Sequence, residues 1–407
     1  MLFNKGIKFS NVYAFIFQPT KESTTIILSI QHNSDHFQCQ YSGTKIFRKN
    51  KKRLHKEYEN VNNIDRQTDR RRNYILDCFR ILAVLMVLSV HIRGYLIGVP
   101  NVINKVFGLG AYGVALYFLI SGFLGYSSVK KSAYLKDYAI KRAIRILPTY
   151  YFSLFLTFIL DVFIIKDLPI SPRWLYHIFF LNMFVPSSEW MWWNSVNFFW
   201  TMPSFIAWYI LSPFIFHHLN NSIKIAVVTL ISVMVVPILK KWMYTIASEQ
   251  FVNWNFFSLL FVFFLGALAW FVINEKKQWI GIGYAVGLAT LGWLVGNKSG
   301  FLAFGLFFYV LIVGMSLVKI QINSQKIQNG IKLLSNISYS VYLSHYFVLK
   351  ALGSIWSQVH WAFAYIAFVV CAGVVGFGFY YLVEKPAAKW LQSKVENKSY
   401  KYVMNDD

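Results

Sequence analysis

The sequence is poor in charged residues and in cysteine. Only 14% of the 407 residues are Asp, Glu, Lys or Arg, against about 25% in a soluble globular protein. Because 56% of the residues are hydrophobic, a membrane protein with several crossings is predicted rather than a soluble globule. Cys39, Cys78 and Cys371 lie far apart and match no metal-site or disulfide spacing. No metal site is therefore predicted.

Acidic residues are scarcer than basic ones, 17 against 40, and the formal net charge is +23. Such an excess can indicate nucleic-acid binding. In membrane proteins, however, Lys and Arg collect in cytoplasmic loops, and no basic soluble domain here is large enough to dock a duplex. We therefore expect no nucleic-acid partner and use the charge to orient the chain.

Residues 1–73 lack any apolar run long enough to cross a bilayer. Val12–Phe17 and Thr24–Ile30 are too short, and no signal-peptide order of basic, apolar and small residues is present. The segment ends in the basic runs Lys49–Arg53 and Arg70–Arg72. We predict a cytoplasmic, largely disordered basic extension, or an over-long translation start.

The rest of the chain predicts an all-α integral membrane protein, a bundle of about ten transmembrane helices. The apolar runs of spanning length are 75–97, 107–127, 147–165, 198–219, 223–239, 254–273, 279–296, 300–318, 334–354 and 361–383. A shorter piece, Trp174–Pro186, carries His177 and Asn182. The membrane domain is predicted over 74–390, followed by a cytoplasmic polar tail, 391–407.

Loop charge orients these runs. The connection after the second run is rich in cations, namely Lys130, Lys131, Lys136, Lys141, Arg142 and Arg145. If 174–186 does not cross, the later lysine-rich loops and the tail fall on the same side as this connection; if it crosses, they are inverted. The positive-inside rule therefore favours both termini in the cytoplasm and a re-entrant or interfacial 174–186.

One run, Leu76–His91, contains three ionisable side chains, Asp77, Arg80 and His91. Arg or Asp at a helix centre costs on the order of 2.5–3.5 kcal/mol on insertion scales. At about 100° and 1.5 Å per residue, Arg80 and His91 lie within roughly 20° on the helix surface and about 16 Å apart. Asp77 lies one turn before Arg80, so the three form a polar stripe that needs a functional reason.

Five segments resemble the membrane acyltransferase-3 family, in the order typical of that family. They are LDCFRILAVLMVLSVH at Leu76–His91, GVALYFLISGFL at Gly113–Leu124, the RxxR pair at Arg142–Arg145, ISYSVYLSH at Ile337–His345, and ExP at Glu384–Pro386. The resemblance covers nearly all of 74–390. One departure occurs around Trp200–Pro213, where Phe205 stands in place of an acidic residue that many members carry.

The resemblance implies a transferase of the bacterial inner (plasma) membrane. Such proteins move an acyl group, usually acetyl from acetyl-CoA, to a hydroxyl of a surface polysaccharide, lipopolysaccharide or lipid-linked glycan. The expected partners are therefore acyl-CoA as donor, a glycan or glycolipid as acceptor, and membrane lipids. A lipid or peptide acceptor stays open, as does a transporter that uses the polar stripe as its path. No sequence feature specifies an oligomeric state.

His91 is the candidate catalytic group, because an imidazole can act as base or nucleophile near neutral pH. A His that only hydrogen-bonds a neighbouring helix is the alternative. Arg80 would hold the donor or pair with Asp77, and the two roles are compatible. Arg142 and Arg145 would bind the phosphates of coenzyme A, or would serve only as loop anchors.

Supporting residues are expected on the acceptor side. His345, which follows Tyr342 by three residues, would orient His91, bind acceptor or hydrogen-bond a tyrosine. Trp192 and Trp193 would stack on a sugar or would belong to the interfacial aromatic belt.

Overall fold

The computed structural model divides the chain into two compact units, Met1–Arg72 and Asn73–Asp407. It describes residues 3–9, 12–17, 26–33, 36–39, 72–131, 135–166, 171–187, 193–318 and 322–391. Of the predicted tail, 391–407, only the first residue is among these.

The first unit contains a four-stranded antiparallel sheet. Its strands are β1 (Phe3–Phe9), β2 (Val12–Phe17), β3 (Ile26–Asn33) and β4 (His36–Cys39), in that order across the sheet. This differs from the largely disordered extension predicted above. Apolar runs too short to cross a bilayer have the ordinary length of a strand, and these are rich in β-branched and aromatic residues. The cytoplasmic location of the unit stays a prediction.

The described part of the second unit is helical. Its α-helices are α1 (Tyr74–Ile92), α2 (Asn101–Gly108), α3 (Gly113–Lys131), α4 (Leu135–Ile159), α5 (Leu175–Ile178), α6 (Thr201–His218), α7 (Ser222–Met243), α8 (Glu249–Trp254), α9 (Phe256–Asn274), α10 (Gln278–Leu294), α11 (Gly300–Met315), α12 (Gln325–Ala351), α13 (Gly353–Trp356) and α14 (Trp361–Phe379). Short 3₁₀ helices connect some of them, at Arg93–Tyr95, Leu109–Tyr112, Pro172–Trp174, Leu181–Phe184 and Asn194–Trp200.

Seven helices in the described residues are long and apolar enough to cross a membrane, so the chain is an integral membrane protein whose second unit is all-α in its described residues. They are Tyr74–Tyr95, Asn101–Val129, Tyr138–Ile164, Ser195–His218, Ser222–Met243, Glu249–Asn274 and Trp361–Leu391. The predicted count of ten is therefore not confirmed. The other three predicted crossings are helices too, but α10 and α11 have only 17 and 16 residues, and α12 is polar along much of its length.

The segment 174–186 contains no helix of spanning length in its described residues. It consists of the end of one 3₁₀ turn, the four-residue α5 and a second 3₁₀ turn. Phe180, between them, has a left-handed backbone with φ 56°, so the chain changes direction there.

Helix α9 is the centre of one half of the bundle. It is apolar on all sides and mostly buried, as expected for a helix surrounded by others, and it packs against α3, α7 and α11. Its approach to α3 is close: a Cβ added at Gly122 would lie 1.9 Å from the carbonyl oxygen of Phe263, and one at Gly266 would lie 1.9 Å from that of Leu119. Two glycines thus permit direct backbone contact.

Helix α12 is the centre of the other half, and it is the polar helix of the bundle. It packs against α1, α4 and α14 and buries polar side chains, among them Ser335, Ser340 and His345. Its ends match those of α1, because Arg80 contacts Ser335 and His91 contacts His345. The two helices therefore run in the same direction with their polar stripes facing each other.

Two π-helical turns extend α4 and α14, over Leu160–Ile164 and Tyr380–Glu384. Each holds a buried carboxylate, Asp161 at 1% exposed and Glu384 at 6%. A π turn rotates the side chains that follow it relative to a regular helix, and such turns are frequent at functional sites. Both carboxylates lie next to α12, where Ser340 donates to Glu384 and Lys350 lies beside Asp161.

Candidate active site

Helix α1 begins where its polar stripe begins. Asn73 caps it, with its side-chain oxygen accepting from the backbone N–H groups of Ile75 and Leu76; an Asn cap of this kind stabilises a helix start by about 1 kcal/mol. The cap fixes the first turn, which carries Asp77, and the helix repeat then sets Arg80 and His91 on the face that meets α12.

At one end of the stripe the buried Asp77 and the partly exposed Arg80 form an ion pair. Arg80 Nη1 donates to Asp77 Oδ1 at 3.1 Å, and the Ser335 hydroxyl donates to the same oxygen at 2.6 Å. The pairing expected from the sequence is present, and it also joins α1 to α12. A role for Arg80 in holding the donor stays a prediction.

At the other end His91 lies in a pocket of rings. Its ring centre is 5.0 Å from that of His345, 5.8 Å from Tyr346 and 6.1 Å from Phe198. The His91 side chain is only partly buried, and within the described part of the chain its ring has no hydrogen-bond partner. A substrate group could therefore bond to a ring nitrogen without displacing a protein partner.

His345 is fully buried and is held in one tautomer. Its Nδ1 lies 2.6 Å from the carbonyl oxygen of Tyr342; because a carbonyl only accepts, Nδ1 carries the hydrogen and Nε2 is left with a lone pair. Nε2 has no hydrogen-bond partner among the described residues. One of the roles expected for His345 was a hydrogen bond to a tyrosine. That bond is present, but its acceptor is the backbone carbonyl of Tyr342 rather than a tyrosine hydroxyl.

Tyr342 supports the ring pocket rather than lining it as a reactive group. Its hydroxyl donates to the carbonyl oxygen of Phe198 at 2.9 Å and lies 2.7 Å from the Thr201 hydroxyl. Since the one Tyr342 hydrogen is used on Phe198, Thr201 donates to Tyr342. This chain holds Phe198 against the two histidines.

Arg142 and Arg145 lie in α4, and they have different surroundings. The Arg142 guanidinium donates to Ser128 and lies over the rings of Tyr138 and Tyr209, at 5.3 Å and 5.1 Å. Arg145 is exposed and interacts electrostatically with Glu384. Their convergence on phosphate stays a prediction, and Arg145 is the more accessible of the two.

Of the two predicted sugar-stacking tryptophans, Trp192 lies outside the described residues. Trp193 is 1% exposed, and its indole N–H donates to Asp161 Oδ2 at 2.7 Å. A buried ring offers no face to a sugar, so in this structure Trp193 supports a carboxylate instead. Phe205 packs against Phe118, with ring centres 4.9 Å apart, so its position is apolar.

Three polar residues near the site were missed from the sequence: Asp161, Ser335 and Lys350. Asp161 had a usable signal, since an acidic residue inside the apolar run 147–165 is costly and calls for a partner. Ser335 and Lys350 gave none, because serine is common in membrane helices and a terminal lysine reads as an interfacial anchor. The described residues contain no group of His, Cys, Asp or Glu that could hold a metal ion.

Buried ionisable side chains meeting between apolar helices define a membrane protein with an internal polar site. The family comparison names the class further: a model described as an acyltransferase domain, acyltransferase-3, matches residues 73–385. The chain therefore belongs to the acyltransferase-3 family and is an O-acyltransferase, which favours the enzyme over a transporter. No curated protein and no solved structure matches the chain.

Proposed function

We propose that this enzyme transfers an acyl group, acetyl in the first instance, from acyl-CoA in the cytoplasm to a hydroxyl of a surface polysaccharide or lipid-linked glycan. The observation that carries the proposal is the pairing of α1 with α12. One end of the paired stripes holds a cation, Arg80, and the other holds an accessible imidazole, His91, beside a second one, His345.

The direction of the two helices supports the proposed topology. They run in the same direction, as the contacts at both ends require. With the predicted crossings, α1 is the first and α12 the ninth, so they are parallel if 174–186 does not cross and antiparallel if it does. The pairing therefore supports a segment 174–186 that does not cross, and with that count the positive-inside rule favours cytoplasmic termini, with Arg80 toward the cytoplasm and His91 toward the opposite face.

The donor would enter from the Arg80 side. Coenzyme A carries several phosphate charges, and guanidinium groups bind phosphate through charged hydrogen bonds. Arg145 is exposed and would turn from Glu384 toward a phosphate, whereas Arg142 would bind one while keeping its contact with Ser128. Arg80 would then face the pantetheine end while paired with Asp77.

The transfer would take place at His91. As general base, a ring nitrogen of His91 takes the proton of the acceptor hydroxyl while the hydroxyl oxygen attacks the thioester carbonyl. The C–S bond breaks, and the leaving CoA thiolate takes the proton from the imidazolium. As nucleophile, a ring nitrogen of His91 would attack the thioester carbonyl and the C–S bond would break, with the CoA thiolate taking the proton of the acyl-imidazolium. The acceptor hydroxyl would then attack the acyl-imidazole, and its proton would return to the imidazole as the N–acyl bond breaks. The partial exposure of His91 is compatible with both routes.

The test is acyl transfer by the purified enzyme in lipid nanodiscs, using radiolabelled acetyl-CoA and alkali-de-O-acylated envelope polysaccharide of the host. We expect the wild type to label the polysaccharide and His91→Gln to lose at least about a hundredfold in kcat, the usual range for a general base. His218→Gln is the matched control, because His218 is exposed at the end of α6. Wild-type activity in a folded His91→Gln protein would contradict the catalytic assignment.

A further inference from the structure

A second charged cluster lies beyond the two histidines and has no role in the steps above. It consists of Asp161 from the π turn after α4, Lys350 from the last turn of α12, and Trp193 and Ser195 from the chain before α6. The Asp161 side chain is 1% exposed and that of Lys350 is 22% exposed. One charge is thus sealed and the other is partly accessible.

Two contacts in this cluster hold the ammonium group of Lys350 in place. Its Nζ donates to the Ser195 hydroxyl at 3.2 Å and lies 3.8 Å from Asp161 Oδ1. The other carboxylate oxygen accepts from Trp193 at 2.7 Å, so Asp161 is fixed from behind. At 3.8 Å the ammonium is attracted by the carboxylate but is not hydrogen-bonded to it.

The cluster lies within reach of the transfer site. Lys350 follows Tyr346 by one turn on the same face of α12, and the Tyr346 ring contacts His91. Asp161 also interacts electrostatically with Tyr346. Along the axis Lys350 is about 7.5 Å beyond His345, a distance comparable to the size of one sugar ring, and it lies on the side away from Arg80.

We propose that Lys350 binds the acceptor by donating a hydrogen bond to a hydroxyl or ring oxygen of a neutral sugar, and that Asp161 is the positioning residue that holds Lys350 for this contact. This rests on the proposed function, since it concerns the acceptor of the same reaction. The pair is close to neutral overall, which suits a polyhydroxyl ring better than an anionic group. The π turn explains how a helix that is otherwise apolar there directs a carboxylate inward.

The test compares acceptor and donor kinetics in Lys350→Met, Lys350→Arg and the wild type, in nanodiscs, with de-O-acylated envelope polysaccharide as the acceptor probe. Losing one charged hydrogen bond should raise the acceptor KM by about tenfold or more. The acetyl-CoA KM and the kcat at saturating acceptor should stay near the wild-type values. Lys350→Arg keeps the charge and should recover part of the acceptor KM.

Asp161→Asn tests the positioning role. It should raise the acceptor KM less than Lys350→Met does, and it should add little to that variant, because both changes remove one interaction. A merely structural pair would instead raise both KM values and lower thermal stability together. If Lys350→Met fails to fold because Asp161 is left as a buried charge, the double variant Asp161→Asn/Lys350→Met removes both charges and gives the same readout.

The outcomes separate the two proposals. A wild type that acylates no polysaccharide overturns the proposed function, and this inference with it. A wild type that acylates, together with a folded Lys350→Met protein whose acceptor KM is unchanged, overturns the inference alone.

Discussion

His91 and His345 contact each other but are held in different ways. His345 is sealed inside the bundle, and the Tyr342 carbonyl fixes its tautomer, whereas His91 is partly open and has its ring nitrogens available. Such a pair resembles a reactive group beside an orienting one, since a fixed lone pair on His345 can accept an N–H from a protonated or rotated His91. On the proposed function, the reactive role is therefore predicted for His91, the less buried histidine.

At this scale we predict the effect of His345→Asn. The Asn amide can still donate to the Tyr342 carbonyl, but it has no counterpart of the unpaired Nε2. We expect kcat to fall by about 10- to 100-fold, with the acetyl-CoA KM and the unfolding midpoint little changed. Steady-state kinetics beside scanning fluorimetry measure this. An unchanged kcat would mean that His345 only fills space.

Among the elements, the α3–α9 crossing depends on residues that contribute no side chain. At Gly122 and Gly266 the backbones touch, so each added methyl group would overlap a carbonyl oxygen of the facing helix. Close crossings of this kind place small residues at the contact because larger ones hold the helices apart.

We therefore predict that Gly122→Ala lowers the free energy of unfolding by about 1–3 kcal/mol, the usual cost of overpacking. The matched control is Gly287→Ala in α10, where an added Cβ would meet no atom within 4 Å. That variant should be neutral or more stable by up to about 1 kcal/mol, because Ala favours the helix. The thermal unfolding midpoint in detergent measures both, and equal losses would argue against the crossing.

The start of α7 is held by Glu275, just after α9. The Ser222 backbone N–H and hydroxyl donate to its carboxylate at 2.9 Å and 2.6 Å, and Lys277 donates at 2.7 Å. Burial raises the pKa of Glu275, but the hydrogen bonds from Lys277 and Ser222 outweigh it and hold the pKa below its ordinary value. The carboxylate therefore stabilises the fold only when ionised.

A pH dependence follows from this sign. A lowered folded pKa contributes stability that is present above the unfolded pKa, about 4.3, and is lost as the pH falls through the folded pKa. At pH 7 Glu275→Gln should lower the free energy of unfolding by less than about 1 kcal/mol, because the site is partly solvated. The difference from wild type should begin to shrink as the pH falls past the unfolded pKa and should disappear once the pH is below the lower folded pKa. A constant difference across that range would exclude the carboxylate as its cause.

In the second unit as a whole, α1 packs against the polar helix α12 on one side and against α3, the neighbour of apolar α9, on another. Because α1 and α12 are parallel, the number of membrane crossings between them must be odd, as it is when 174–186 does not cross. Helix α1 carries the cation of Arg80 in its first half and the imidazole of His91 in its last turn, and it stays a prediction that these ends face opposite sides of the membrane.

This topology predicts which loops are accessible from outside the cell. In a background with the native cysteines replaced, Lys298→Cys should react with a membrane-impermeant maleimide on intact cells, whereas Lys276→Cys should react only after lysis. The two positions flank α10, so each controls for the expression of the other. Labelling of Lys276→Cys on intact cells would invert the orientation.

The sequence by itself determined the apolar runs and the face of α1 that carries Asp77, Arg80 and His91, because helix periodicity fixes where a side chain points on its own helix. It predicted all ten apolar segments as helices, although three are too short or too polar to count as membrane spans by themselves. The short apolar runs near the amino terminus lie in a segment that was predicted to be largely disordered. In the structure they form strands.

Only the tertiary structure decided which helix that face meets. His345 and Ser335 contact α1, and Lys350 lies beside Asp161, although α12 is distant from both in the sequence. These contacts depend on how all the intervening helices pack. The π turns that direct Asp161 and Glu384 inward and the burial of Trp193 are likewise set by neighbours. Local pattern specifies a direction on a helix, whereas the partner on that side is fixed by the packing of the whole bundle.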